Sequence, residues 1–211
     1  FSAVPAQGRW PGGERVRWPG AAADAPTLLY LHGGGYIGCS PETHRSLVGS
    51  LVRRTEFDAW VPQYRLAPEH PYPAALDDAL GAYRYLIDDR GIAPQRLVVG
   101  GDSAGGGLAL ALVLRLKAEG HALPAAVATF SPWSDLAVTG SSLDENSNRC
   151  SMFAGDTVRR ASAFYVGNAD PHDPLVSPLY GDYRGFPPLL VHASIDEVLR
   201  DDATRVAARA R

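Results

Sequence analysis

A serine flanked by small residues is the side chain of this sequence best suited to covalent chemistry. The run from Gly101 to Gly105 reads Gly-Asp-Ser-Ala-Gly, so Ser103 lies in a G-x-S-x-G pattern between a predicted strand (97–100) and a predicted helix (104–119). Small neighbours let strand and helix approach closely, and the hydroxyl then projects from the sheet edge, where the helix dipole favours negative charge. The pattern predicts a nucleophile; the competing interpretation is a glycine-rich turn with a surface serine.

A second glycine cluster follows the first predicted central strand. His32 is followed by Gly33, Gly34 and Gly35, and residues without side chains let backbone N–H groups come close to a substrate oxygen. Such groups stabilise the oxyanion of a tetrahedral intermediate. We therefore expect the N–H groups of Gly34 and Gly35, together with that of Ala104 beside the nucleophile, to form an oxyanion hole.

The same glycines also fit a dinucleotide-binding pattern. Gly33, Gly35 and Gly38 have the G-x-G-x-x-G spacing, and Asp58 follows further along the chain. Asp58, however, opens its predicted strand and would point away from a ribose, and a dinucleotide site leaves the serine motif unexplained. No lysine follows either glycine cluster, which argues against a phosphate-binding P-loop.

The elements that must position these residues alternate between strand-length apolar runs and longer helical patterns. We predict strands over 27–31, 58–61, 97–100, 125–130 and 189–193, separated by helices over 41–54, 74–90 and 104–119. This alternation predicts an α/β fold with a mostly parallel central sheet and helices on both faces. The length fits a single catalytic domain over residues 1–211.

The stretch from 141 to 174 breaks this alternation. It is rich in Asn, Asp and Ser and contains a predicted helix over 156–165. An insertion of this length in a compact domain is usually functional, so we interpret it as a cap over the site. Tyr36 and Trp133 are expected to be bulky walls of the substrate pocket, and Asp102 is included in that pocket.

A nucleophilic serine requires a base, and the base requires an acid that orients it, with chain order serine, acid, histidine for this turn. Asp196 is the first carboxylate after the last predicted strand, and we predict it as the acid. Three further carboxylates are interpreted as a helix-start cluster facing the dipole and solvent: Glu197, Asp201 and Asp202.

No histidine follows Asp196. Of the six histidines, His192 is the nearest to Asp196 but is expected to be buried along its strand, and His44 is expected to be exposed. The catalytic histidine is therefore expected after Arg211. Since the chain also begins at Phe1 rather than at a methionine, we expect it to be truncated at both ends.

Composition limits the class of partner. The net charge of -3 is made of interspersed signs, so nothing indicates binding to nucleic acid or to a membrane. A small, uncharged molecule is the expected partner. Two cysteines are too few for a disulfide framework and favour a cytoplasmic location. Whether the chain forms a homodimer is left open.

Taken together, the motifs resemble the hormone-sensitive-lipase-like carboxylesterases, a bacterial family of α/β-hydrolases with an H-G-G-G motif. Besides the two glycine clusters, the resemblance rests on four segments, at 64–78, 131–135, 173–178 and 196–201. It implies an α/β-hydrolase fold, Ser103 and Asp196 in a catalytic triad, and an oxyanion hole of Gly34, Gly35 and Ala104. It also implies that no metal or cofactor is used.

The expected function is hydrolysis of short-acyl esters through an acyl-enzyme, an activity of the carboxylic ester hydrolase class. Amidase, lactonase or arylformamidase activity would use the same machinery. A different class is a ligand-binding protein that resembles the gibberellin receptors, which belong to this fold but lack the working histidine. A histidine encoded after Arg211 would discriminate between enzyme and receptor.

Overall fold

A seven-stranded sheet runs through the centre of the computed structural model, which describes residues 1–211. Its strands are β1 (Ser2–Val4), β2 (Gly13–Val16), β3 (Thr27–Leu31), β4 (Asp58–Pro62), β5 (Leu97–Asp102), β6 (Ala126–Phe130) and β7 (Leu189–His192). Their order across the sheet is β1-β2-β4-β3-β5-β6-β7. The neighbours from β4 to β7 pair in parallel, and only β1 and β2 are antiparallel. The predicted mostly parallel sheet is confirmed.

Helices cover both faces of this sheet. They are α1 (Arg45–Thr55), α2 (Ala74–Arg84), α3 (Ser103–Ala118), α4 (Ser142–Glu145), α5 (Gly155–Val166) and α6 (Arg200–Arg209). Side chains alternate along β3, so Leu28 and Tyr30 pack with α1 on one face, whereas Leu29 and Leu31 join the larger core that contains α2 and α3. Each face of the strand is thereby buried, as expected for a parallel sheet.

The N-terminal hairpin of β1 and β2 was not predicted from the sequence. Its strands are short and are separated by a glycine- and proline-rich connection, so their hydrophobic period is weak. Arg15 in β2 donates from Nε to the Asp58 carboxylate at 2.9 Å. Asp58 is thus engaged by Arg15 at the start of β4, at the opposite end of the parallel strands from the glycine cluster. It is therefore not placed to bind a ribose, and the dinucleotide interpretation loses its basis.

The segment from 141 to 174 contains two helices, α4 and α5. The predicted helix over 156–165 corresponds closely to α5, which spans Gly155–Val166. The Ser162 hydroxyl of α5 donates to the backbone oxygen of Leu136 at 2.5 Å, and the ring of Tyr165 stacks on that of Tyr36 at 3.6 Å between centroids. These contacts attach the segment to the body of the domain, and its interpretation as a cap stays a prediction.

None of the helices combines the length and the apolar character that a bilayer crossing requires.

The start of α6 differs from the expectation for its carboxylates. Asp202 was predicted to face solvent, but it is 2% exposed and lies against the loop after β6. One of its oxygens accepts the N–H groups of Ser134 (2.8 Å) and Asp135 (2.7 Å). Burial, with the nearby Asp135 carboxylate, raises the pKa of Asp202 to about 7, whereas the two N–H groups act in the opposite direction.

Replacement of Asp202 by Asn is therefore expected to flatten the pH dependence of stability. Between the ordinary pKa of 3.8 and about 7, the unfolded chain releases the Asp202 proton while the folded chain retains it, so folding becomes less favourable as pH rises. The Asn carbonyl can still accept both N–H groups. Relative to the wild type, the variant should become more stable from pH 4.5 to pH 8 by about 1–4 kcal/mol, since one pKa unit corresponds to about 1.4 kcal/mol.

Urea unfolding at both pH values measures this difference. Asp24→Asn, at a carboxylate whose side chain is 80% exposed, serves as the control and should show no such trend. A stability difference between Asp202→Asn and wild type that stays constant with pH would mean that Asp202 is ionised in the folded protein.

Candidate active site

Ser103 occupies a sharp turn between β5 and α3, as predicted. Its φ is 51°, a left-handed conformation that a serine adopts only when its surroundings impose it. A Cβ on Gly101 would lie 2.4 Å from the Gly105 oxygen, and one on Gly105 would lie 2.0 Å from the Leu31 oxygen. Glycine is required at both positions because helix and strands meet backbone to backbone. The strained turn holds the serine hydroxyl at the carboxyl edge of the sheet.

Ser103 opens into a cavity of about 540 Å³. This volume is within the range that holds small organic molecules. The walls come from the glycine cluster, the loop after β6, the insertion and the segment between β7 and α6. They include Phe130, Trp133, Cys150, Met152, Phe153, Val158, Val198 and Leu199. A mostly apolar lining around one hydroxyl suits an uncharged substrate.

Two unbonded N–H groups line the same cavity as Ser103. Gly34 and Gly35 adopt φ values of 122° and 64°, and their N–H groups donate to no backbone carbonyl of the chain. A Cβ on Gly34 would meet the Gly38 oxygen at 2.2 Å, so this loop closes tightly on itself. Ala104 is fully buried at the first turn of α3. The arrangement offers donors to an oxygen bound beside Ser103.

Asp102 connects the serine turn to the glycine loop. Its Oδ1 accepts the hydroxyl of Tyr30 at 2.8 Å and the N–H of Gly33 at 3.0 Å, and the Nε2 of His44 lies 3.3 Å away. Burial opposes ionisation, but the hydrogen bonds from His44, Tyr30 and Gly33 outweigh it and hold the pKa of Asp102 below its usual value. Asp102 lines the cavity, as predicted, although its carboxylate is engaged within the protein.

His44 was predicted to be exposed, and this is wrong. It lies just before α1, and its ring is turned toward Asp102, with only 12% of the side chain exposed. The hydrogen bond to Asp102 raises the pKa of His44, and burial partly opposes this. No sequence signal indicated this contact, because Asp102 and His44 are 58 residues apart.

His32 braces the loop, as its position in the motif suggests. It is fully buried, its ring stacks on that of Tyr64 at 4.2 Å, and the Tyr64 hydroxyl donates to the His32 backbone oxygen at 2.5 Å. Nδ1 lies 2.7 Å from the backbone oxygen of Gly33. Burial lowers the pKa of His32 to about 4, so the ring is neutral at neutral pH.

Asp196 and its neighbour Glu197 face different surroundings. The Asp196 carboxylate is about half exposed and pairs with the guanidinium of Arg149. It is not part of the cavity wall. Glu197 does line the cavity, and its Oε2 is buried without a hydrogen-bond partner in the chain. Glu197 was interpreted as a solvent-facing helix-start residue, and that interpretation is wrong.

Of the two aromatic residues expected in the pocket, one lines the cavity and the other does not. Trp133 lines the cavity, and its backbone N–H donates to the backbone carbonyl oxygen of Ser103 at 2.9 Å. Tyr36 does not line it. A φ of 62° turns Tyr36 into the core, where its ring is 1% exposed and stacks on Tyr165, so the prediction of a pocket wall at Tyr36 is wrong.

None of the six histidines is hydrogen-bonded to the Ser103 hydroxyl. His44 shares the cavity with Ser103, but its ring nitrogens contact Asp102, Ser40 and Thr43. His192 was expected to be buried along its strand. Its side chain is exposed instead, on the last residue of β7.

Comparison with known proteins agrees with this geometry. A family model described as alpha/beta hydrolase fold matches residues 28–211. The chain superposes on a hormone-sensitive lipase from a metagenome library with a TM-score of 0.93 and 39% identity, over 99% of this chain and 69% of that one. This chain belongs to the hormone-sensitive-lipase-like family of α/β-hydrolases. The resemblance inferred from the motifs is confirmed.

Curated relatives of this α/β-hydrolase include an acetyl-hydrolase and an esterase. It is 44% identical to an acetyl-hydrolase of Streptomyces hygroscopicus over 87% of this chain and 61% of the relative. It is 38% identical to an esterase of Acinetobacter venetianus over 94% of this chain and 65% of the relative. The chain thus spans somewhat less than two thirds of the length of these relatives.

The α/β-hydrolase chain brings no metal ligands together: no group of three or more His, Cys, Asp or Glu side chains is arranged to hold an ion.

Sequence reasoning missed His44 and Glu197 as members of the cavity wall. For Glu197 a signal existed, because the side chains of adjacent loop residues commonly point in different directions, and either carboxylate could have faced Ser103.

Proposed function

We propose that the protein is a serine carboxylesterase that acts on short-acyl esters. The observation that carries this proposal is the common cavity of Ser103 and the free N–H groups of Gly34 and Gly35. A nucleophile beside preorganised donors is the minimal equipment for acyl transfer. Names of relatives such as esterase and acetyl-hydrolase support the same class.

In the proposed mechanism, the Ser103 Oγ attacks the ester carbonyl while a histidine takes its proton. The carbonyl oxygen becomes an oxyanion that accepts hydrogen bonds from the N–H groups of Gly34, Gly35 and Ala104. The tetrahedral intermediate then collapses, and the histidine returns the proton to the leaving alcohol. Water repeats the sequence on the acyl-enzyme and releases the acid. None of the six histidines is hydrogen-bonded to the Ser103 hydroxyl. We therefore propose that the base is a histidine beyond Arg211, as the sequence predicts.

Two carboxylates compete for the role of the acid that orients this histidine. Asp196 was the prediction from sequence, but its charge is already compensated by Arg149. The Glu197 side chain lines the Ser103 cavity and keeps one buried oxygen without a partner, which is costly unless another group completes the hydrogen bond. We therefore propose Glu197, in place of Asp196, as the acid of the triad.

Ser103→Ala tests the function itself. In the complete protein, this variant should lose essentially all hydrolysis of p-nitrophenyl butyrate, because the attacking oxygen is gone. Far-UV circular dichroism and the thermal unfolding midpoint should stay close to the wild type, since the hydroxyl contributes no hydrogen bond to the fold. Ordinary turnover by Ser103→Ala would refute the assignment.

Glu197→Gln and Asp196→Asn form a matched pair that decides the acid. Each change removes one charge at nearly constant shape. Glu197→Gln should lower kcat by on the order of a thousandfold, because the histidine loses the partner that fixes its tautomer. Asp196→Asn should stay within about threefold of the wild type, as expected for an exposed ion pair.

The opposite ranking of these two variants in kcat would restore Asp196 as the acid. Near-normal kcat in both would show that neither carboxylate orients the base. Unfolding midpoints of the two proteins separate loss of catalysis from loss of structure.

The acyl preference follows from the walls of the cavity. Trp133, Phe130 and Phe153 line the cavity beside Ser103 with three rigid rings, and we expect these rings to limit the length of the acyl chain that fits next to the nucleophile. We expect kcat/KM to be highest for p-nitrophenyl acetate to butyrate and to fall for decanoate and longer esters. Initial rates over the ester series measure this, with Ser103→Ala as the blank for spontaneous hydrolysis. A maximum at decanoate would contradict the short-acyl assignment.

A further inference from the structure

His44 is a largely covered titratable residue of the cavity wall, with 12% of its side chain exposed, that the mechanism above does not use. Its Nε2 lies 3.3 Å from Oδ1 and 3.4 Å from Oδ2 of Asp102, and 3.3 Å from the backbone nitrogen of Gly33. Asp102 directly precedes the nucleophile, and Gly33 directly precedes the two proposed oxyanion donors. His44 therefore lies where the two catalytic loops meet.

The partners of the His44 ring define its protonation. On one side, Nδ1 lies 3.0 Å from the Thr43 hydroxyl and 3.3 Å from the Ser40 backbone oxygen. The Thr43 hydroxyl already donates its own proton to the Ser40 oxygen at 2.8 Å, so toward His44 it can only accept. On the other side, Nε2 faces the carboxylate of Asp102. The Gly33 N–H also points toward Nε2 at 3.3 Å, but its shorter hydrogen bond, at 3.0 Å, goes to the Asp102 carboxylate. A proton on each ring nitrogen therefore satisfies the acceptors on both sides of the ring.

This hydrogen-bond pattern excludes His44 as the general base. A base must present a nitrogen lone pair to the serine hydroxyl. In His44, one nitrogen donates toward Asp102 and the other toward Thr43 and Ser40, which leaves no lone pair for Ser103. The raised pKa of His44, caused by its hydrogen bond to Asp102 against partial burial, agrees with a charged ring.

We propose that His44, as an imidazolium, is a positioning residue for the proposed ester hydrolysis, which neutralises Asp102 and fixes the Gly33 end of the oxyanion loop. The inference rests on the proposed function. The carboxylate of Asp102 is one residue from Ser103 and accepts the N–H of Gly33, so it lies close to the oxygen that becomes negative in the transition state.

An uncompensated carboxylate at this place would act against the reaction. Like charges in a site with little water repel strongly, and the repulsion appears only as the oxyanion forms. It would therefore raise the barrier of the chemical step and leave ground-state binding of an uncharged ester nearly unchanged. With His44 charged, the pair is neutral, and the N–H groups of Gly34 and Gly35 act on the oxyanion without opposition.

The test measures kcat and KM for p-nitrophenyl butyrate in the complete protein. His44→Gln keeps a neutral donor for Asp102 but removes the charge. We expect kcat to fall by about tenfold or more while KM changes by less than about twofold. His70→Gln is the matched control, because His70 is exposed and its side chain makes no hydrogen bond; its kcat should equal that of the wild type.

A double-mutant cycle with Asp102→Asn isolates the proposed cause. Once Asp102 carries no charge, there is nothing for His44 to neutralise, so D102N and D102N/H44Q should have the same kcat. If His44→Gln alone fails to fold because it leaves a buried carboxylate unpaired, the comparison of these two proteins still decides the matter. A further tenfold loss from D102N to D102N/H44Q would overturn the inference.

Wild-type kcat in His44→Gln, or a loss confined to KM, would also overturn it. Failure of the proposed function is recognised separately, because Ser103→Ala would then retain hydrolysis. If Ser103→Ala is inactive and His44→Gln is fully active, only the role of His44 is refuted.

Discussion

The direct packing of α3 on the backbone of β3 is the constraint on which the site depends. It is possible because Gly101 and Gly105 leave no Cβ between helix and strands, where an added atom would come within 2.5 Å of backbone oxygens. The close approach forces the chain into the left-handed turn at Ser103. The strain of that turn is offset by burial, since nearly every side chain of α3 is inside the core. Stability of the sheet and exposure of the serine are thus consequences of one contact.

Asp102 makes the serine turn and the glycine loop a single unit. The carboxylate is so close to Gly33 that a Cβ at that position would lie 2.2 Å from Oδ2. Its hydrogen bond to the Gly33 N–H joins segments 69 residues apart in the chain. Because Ser103 follows Asp102 and Gly34 follows Gly33, the distance between nucleophile and oxyanion donors is set by this contact. Preorganisation of this kind is what an oxyanion hole requires.

The sequence was sufficient for the features that depend on local spacing. The serine turn, the glycine loop and the parallel strands lie where they were predicted, because each is specified by a few neighbouring residues. The N-terminal hairpin was missed because its strands are short. The exposure of His44 was predicted wrongly because helix-start residues are usually solvated, whereas here the ring turns toward Asp102, which is remote in sequence. His192 was predicted buried because a short apolar strand such as β7 does not show in its own composition which of its side chains is covered.

The choice between Asp196 and Glu197 also could not be made from local sequence. Both follow β7 and both carry a carboxylate, and only the course of the backbone decides which one faces the cavity. Arg149, which comes from the insertion, binds the outward-facing one. That exposed ion pair lies on the solvent side of the segment after β7, whereas the Glu197 side chain lines the cavity.

The proposed mechanism then requires that each charge near Ser103 has its own partner. In the transition state, the oxyanion faces the N–H groups of Gly34 and Gly35, and the histidine that has taken the serine proton faces Glu197. Asp102 is the one remaining carboxylate of the cavity wall, and His44 compensates it. Since the rest of the lining is mostly apolar, no charge is left to attract or solvate an ionic substrate. An ester with an uncharged acyl group is the substrate that enters without unpaired charge on either side.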